Sequence, residues 1–243
     1  MIEPRGAYQT EPANPAPAPR TPQEARGDEF TAPLGLLTGA RLRFANGAHR
    51  ISIRADPNVR GLYRARFGDP MPAVAVRGGV VTIQHPRFPA AEWLDRDSGS
   101  SAEVELNASV AWQVEVLGGA SRLLADLRDL RLVSLRLEGG AGRLEVALPE
   151  PSGTVAVAVL GGASNVTIQR PTGVAARLRV EGGATHLRLD DRRIGAAGGA
   201  LDLKSQGYDA ATHRYDIAVT GGANNVGVHE RPRAEGRGPG PAA

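Results

Sequence analysis

Apolar and polar residues alternate in short runs along most of this chain, and the runs come in pairs. Leu135 and Leu137 precede Leu144 and Val146; Val157 and Val159 precede Val166 and Ile168; Leu178 and Val180 precede Leu187 and Leu189; Ile217 and Val219 precede Val226 and Val228. Alternation with a period of two marks a strand that buries one face. Between the runs of each pair stands a small-residue phrase: Gly118-Gly119-Ala120, Gly139-Gly140-Ala141, Gly161-Gly162-Ala163, Gly182-Gly183-Ala184 and Gly221-Gly222-Ala223. A fainter copy, "LRFANGAHRISIRA", lies near the start.

The glycine pairs begin at intervals of 21, 22 and 21 residues, and the last follows 39 later, nearly two periods. Repeats of this length point to a solenoid or stacked array. From the last inward residue before each pair to the first one after it is always seven positions, as in Val116 to Leu123 or Val159 to Val166. In a straight strand an odd offset would turn the second apolar set to solvent. The phrase is therefore a corner where the chain bends and resets its phase. Glycine suits it because it accepts positive φ and close backbone approach. "PEPSG" (149–153) and "RPTG" (170–173) mark a second corner.

Two strands and two corners per repeat predict an all-β, single-chain β-solenoid of about eight to nine rungs, roughly 40 Å long at ~4.8 Å per rung. Each rung is expected to pair with its neighbours in sequence. The solenoid is placed at residues 31–230. Residues 1–30, rich in Pro and Ala, and 231–243, rich in Gly, Pro and Arg, are expected to be disordered tails. The stretch "FPAAEWLDRDSGSSAEVELN" (88–107) breaks the rhythm and is expected to loop out of the rod. "LADLRDLRLVSL" (124–135) is read as strand, and residues 30–37 as a cover for the first rung.

The corner repeats, from Trp112 to Val228 and more weakly from Leu36 to Ile83, resemble the toast-rack or adhesin-like repeat domains of bacterial envelope-stress proteins. That resemblance implies a stacked β-helix, no catalytic set, and a setting in which cell-wall or membrane damage is sensed. Such domains usually accompany transmembrane segments, and no run in this sequence has the length and apolar character of one. A second resemblance is to the bactofilins, whose short β-helical rods join end to end.

Composition narrows the chemistry. With 4% aromatic and 41% hydrophobic residues, the core must be built from Val, Leu, Ile and Ala. The absence of cysteine excludes disulfides, thiolate metal sites and a thiol nucleophile. A net charge of +3, carried almost wholly by arginine since Lys204 is the single lysine, is too small and too evenly spread to mark a nucleic-acid surface. The N-terminus has no secretory hydrophobic core, so the expected location is cytoplasmic.

No reactive constellation emerges. The histidines 49, 85, 186, 213 and 229 show no metal-ligand spacing. Asp190-Asp191-Arg192-Arg193 reads as a solvated turn. Asp95 and Asp97 in "DRDSGSS" resemble the start of a calcium loop but lack its later glutamate. Ser121 and Ser164 follow corners where other copies carry Gly142, Thr185 and Asn224, as a polar ladder would. The outward residues Arg136, Glu138, Ala158, Leu160, Arg179 and Glu181 mix signs without concentrating carboxylates. No catalytic residue, cofactor or metal is expected. The reading is a non-catalytic structural or protein-interaction module in bacterial envelope stress or regulation, with a polymerising scaffold and a carbohydrate-active β-helix enzyme as alternatives. Its interaction strip is placed on Leu117, Glu138, Leu160 and Glu181, stacked before the glycine pairs. A protein partner is expected, nucleic acid is not, and self-association stays open.

Overall fold

The computed structural model describes residues 24–26, 29–86 and 100–231. Every run of alternating residues is a strand. In chain order these are β1 (Glu24–Arg26), β2 (Glu29–Ala32), β3 (Gly39–Phe44), β4 (Ala48–Asp56), β5 (Tyr63–Phe67), β6 (Ala73–Arg77), β7 (Val80–Gln84), β8 (Ser101–Asn107), β9 (Ala111–Leu117) and β10 (Ala120–Asp126). There follow β11 (Arg131–Glu138), β12 (Ala141–Ala147), β13 (Thr154–Leu160), β14 (Ala163–Arg170), β15 (Ala175–Glu181), β16 (Ala184–Leu189), β17 (Arg192–Ala197), β18 (Leu201–Lys204), β19 (Arg214–Thr220) and β20 (Ala223–Glu230).

The nine-stranded sheet runs β6-β7-β3-β9-β11-β13-β19-β15-β18. The eleven-stranded sheet matches it level for level as β5-β8-β4-β10-β12-β14-β20-β16-β17, with β2 and β1 outside β5. Corners carry the chain from one sheet to the other, and the inner faces share one core. In the smaller sheet Val114, Leu135, Val157, Ile217 and Leu178 stand in register. The larger sheet supplies Ile51, Leu123, Leu144, Val166, Val226 and Leu187. All are buried, and burying side chains of this size contributes about 1.5–3 kcal/mol each. Trp112, the largest fully buried side chain among the described residues, donates Nε1–H to the Asn107 carbonyl at 3.0 Å.

The levels are not stacked in sequence order. Numbered from one end, the chain visits the third, first, second, fourth, fifth, sixth, eighth, ninth and finally seventh. Thus β13 pairs not with β15 but with β19, which pairs β15 on its other side. This corrects the expectation of sequential pairing, which fails at both ends, and at the far end the cause is local. After β16 a tight turn at Asp190 (φ 53) and Asp191 sends β17 back antiparallel, Leu189 opposite Arg192. The hairpin takes the outer edge, and the chain returns to the slot inside it.

Both ends of the rod close in this way. β18 and β17 run antiparallel to β15 and β16, while β6 and β5 run antiparallel to β7 and β8. β2 then covers β5, and Phe30 meets Phe67 edge-on at 5.3 Å. Two further expectations change. Residues 101–107 are not looped out but form β8, pairing β4 and β5, because "AEVEL" keeps the period-two alternation. Strand structure also begins at Glu24, inside the stretch assigned to a tail, where β1 pairs β2. The expectations for residues 1–23 and 232–243, and for most of the 88–107 loop, lie outside the described residues.

Candidate functional site

The glycine corners line up as one edge of the rod, and every glycine of the five pairs has positive φ. At Gly119 (φ 80) a Cβ would stand 2.6 Å from the Gly139 carbonyl oxygen, and at Gly162 (φ 87) 2.9 Å from that of Gly221. Side chains are excluded by backbone on the next level. Each following alanine, Ala120, Ala141, Ala163, Ala184 and Ala223, turns its methyl into the core. Its amide bonds the adjacent level, as Ala120 to the Gly140 carbonyl at 3.2 Å and Ala163 to that of Gly222 at 3.1 Å. The outcome is a shallow groove of about 710 Å³ floored by glycine backbone, with Ser121, Ser164 and Asn224 among its lining residues.

On one side of this edge lies the row containing Leu117, Glu138, Leu160 and Glu181. Leu117 stands opposite Glu138 and Glu138 opposite Leu160, all three half-buried. Glu181 does not follow Leu160: Thr220 of β19 stands between them, paired with both. The four-residue strip is thereby corrected to a five-residue row, a consequence of the late strand's insertion. Glu138 accepts from Arg136 of its own strand, so the row's central charge is answered locally.

On the other side lies a row that sequence reasoning passed over. Arg50, Arg122 and Arg143 are exposed and stand directly opposite one another on β4, β10 and β12. The next three levels carry Asn165, Asn225 and His186 at the same position, each with φ near 53–54. Asn225 donates to Asn165 at 2.9 Å. The signal was available, since each of these residues immediately precedes the first inward residue after a corner.

A second polar cluster gathers at the other corner. Arg170 is 1% exposed, donates through Nη1 to Glu230 at 2.8 Å and to the Val174 carbonyl, and reaches Asp190 through Nη2. The guanidinium, together with the Gly173 amide, holds the Glu230 carboxyl below the ordinary carboxylate range. Burial lowers the pKa of His229 nearby. Arg188, Arg192 and Lys204 complete an open bowl around this cluster. Sequence reasoning had read Arg170 only as part of a turn.

The remaining candidates stay apart. His213 Nδ1 accepts the Gly153 amide at 2.8 Å. His85 is buried beside Phe67, and burial lowers its pKa. His49 and His186 flank corners on different levels. Among the described residues no three His, Asp or Glu side chains form a cation cage, and Asp95 and Asp97 lie outside those residues. Ser121 and Ser164 stand in the polar ladder beside the groove.

A long two-sheet stack of parallel rungs with glycine corners defines a class of repeat domain, and the comparisons show likeness to it. Residues 73–169 match the family model described as the N-terminal domain of toast_rack, DUF2154. A solved structure of a candidate cell adhesion protein from Clostridium sporogenes ATCC 15579 superposes with a TM-score of 0.60 at 15% identity, covering 87% of this chain and 98% of that one. No curated protein matches. Residues 73–169 thus carry the toast-rack likeness that the Gly-Gly-Ala corners suggest, and the solved structure shares the fold. Among the described residues no helix is long and apolar enough to cross a membrane.

Proposed function

We propose that this domain is a non-catalytic interaction module serving bacterial envelope stress or its regulation, and that it engages a protein partner through the row Leu117, Glu138, Leu160, Thr220 and Glu181. The observation that carries this reading is the closed rod. Aliphatic side chains from both sheets fill the interior, so recognition falls to outer surfaces. The toast-rack match and the adhesion-like neighbour support a structural or interaction role. The reverse strands over both ends favour such a module over a scaffold that grows by adding rungs, because they interrupt the parallel rung pattern that an added copy would continue.

The test is a pull-down with the full chain and with a Leu117→Ser, Leu160→Ser variant. A partner lost from the variant at unchanged melting temperature supports the row, and a partner retained by it refutes the row. Sedimentation over a range of concentrations is expected to give constant mass, whereas growth would favour the scaffold. Turnover of a glycan would overturn the non-catalytic reading. Cell fractionation tests the cytoplasmic placement.

A further inference from the structure

Several arginines on this rod are answered across the strands. Arg43 meets Glu115 at 2.9 Å, Arg66 meets Glu29 at 2.9 Å, Arg179 meets Asp216 at 3.1 Å, and Arg54 and Arg64 share Glu105. This is the usual rule, because like charges directly opposite on neighbouring strands destabilise a sheet. Arg50, Arg122 and Arg143 break it. They are stacked in register on three adjacent parallel strands, about 4.8 Å apart. Arg143 has Glu145 of its own strand at 2.8 Å. Among the described residues, neither Arg50 nor Arg122 has a carboxylate within ion-pair distance.

The surroundings extend the pattern. The row continues through Asn165, Asn225 and His186, and the row beside it, next to the glycine edge, holds His49, Ser121, Gly142, Ser164, Asn224 and Thr185. Six levels of two adjacent rows thus carry no acid. Arrays of hydrogen-bonding groups headed by three guanidiniums are complementary to an anion that is itself linear. Guanidinium forks match phosphate oxygens in pairs. The rows contain no Phe, Tyr or Trp on which a base could stack, the platforms that such single strands ordinarily use.

We propose that this edge of the larger sheet binds a linear phosphate polymer, with Arg50, Arg122 and Arg143 contacting phosphates along its length. The site is distinct from the row assigned to a protein partner and does not depend on it.

The probe is inorganic polyphosphate of defined length, titrated against the full chain at several salt concentrations. The triple variant Arg50→Gln, Arg122→Gln, Arg143→Gln is expected to weaken binding tenfold or more. It should also reduce the slope of log K against log salt by about 2, as loss of three contacts to a flexible polyanion implies. Arg41→Gln with Arg43→Gln, on the other sheet, should leave binding unchanged. Relief of like-charge contact means that the triple variant should melt no lower than the parent, so lost binding is not lost folding. Absence of polyphosphate binding, or equal binding by the triple variant, overturns the proposal. So does tighter binding of polygalacturonate, oligothymidylate or phosphatidylglycerol vesicles than of polyphosphate.

Discussion

Arg170 and Glu230 stand directly opposite each other on β14 and β20, and Arg170 Nη1 lies 2.8 Å from the Glu230 carboxylate. The same guanidinium passes over β20 to Asp190, beyond the end of β16. One buried cation thus ties together the sixth, seventh and eighth levels, where the order departs from that of the chain at this end of the rod.

Arg170→Ala should therefore destabilise the fold by about 3 kcal/mol, because it leaves Asp190 and Glu230 facing each other without their shared cation. Glu230 is substantially exposed, so Glu230→Gln should cost only about 1 kcal/mol. Urea unfolding of the three proteins checks the ranking.

The same pair predicts an acid dependence. Arg170 depresses the folded-state pKa of Glu230. The contribution is complete above the unfolded carboxylate value, near 4.3, and is lost as pH falls through the lower folded value. The parent should lose more stability on acidification below about pH 4.5 than Glu230→Gln does. Thermal melts across that range measure the difference.

Gly162→Val should destabilise by at least 1–3 kcal/mol, since a β-branched residue would need positive φ and meet the Gly221 carbonyl. Ala158→Thr, outward on the adjoining strand, should stay within about 0.5 kcal/mol of the parent. Equal melting temperatures for parent and Gly162→Val would contradict the corner geometry.

Tyr215 is fully buried and donates its hydroxyl to the Pro149 carbonyl at 2.7 Å. Tyr215→Phe keeps the packing but strands that oxygen, and should cost about 1–2 kcal/mol by calorimetry.

A chain ending at Gln206 lacks β19 and β20. It should fail to give a cooperative melt and should associate, since β13, β14, β15 and β16 each lose a partner strand. A monomeric, cooperatively melting truncation would refute the account of the seventh level.

The repeating unit was legible in the sequence because burial dictates it. Val159 and Val166 must both face inward, and an odd offset forces a corner between them. The order of levels was not legible. Val157 fits beside Leu178 as well as beside Ile217, since hydrophobic alternation fixes which face is buried but not which neighbour lies alongside. What distinguishes them is a turn at Asp190 and a clasp from Arg170, both polar and local. The arginine row is hidden for a related reason: Ser121 and its equivalents just after each corner vary like any polar ladder, and Arg122 lies one position further on.

The visiting order also bears on how the protein is made. Arg214–Glu230, synthesised after the strands that flank them, belong in the interior of the rod. Until they emerge, β13 and β15 carry matching apolar phrases with nothing between them, and their direct pairing satisfies the same alternation. The nascent chain is thus offered a plausible wrong neighbour, which must be declined or undone before the keystone can enter. Dependence of the surrounding levels on β19 and β20 follows from a repeat whose copies resemble one another too closely to encode their own order.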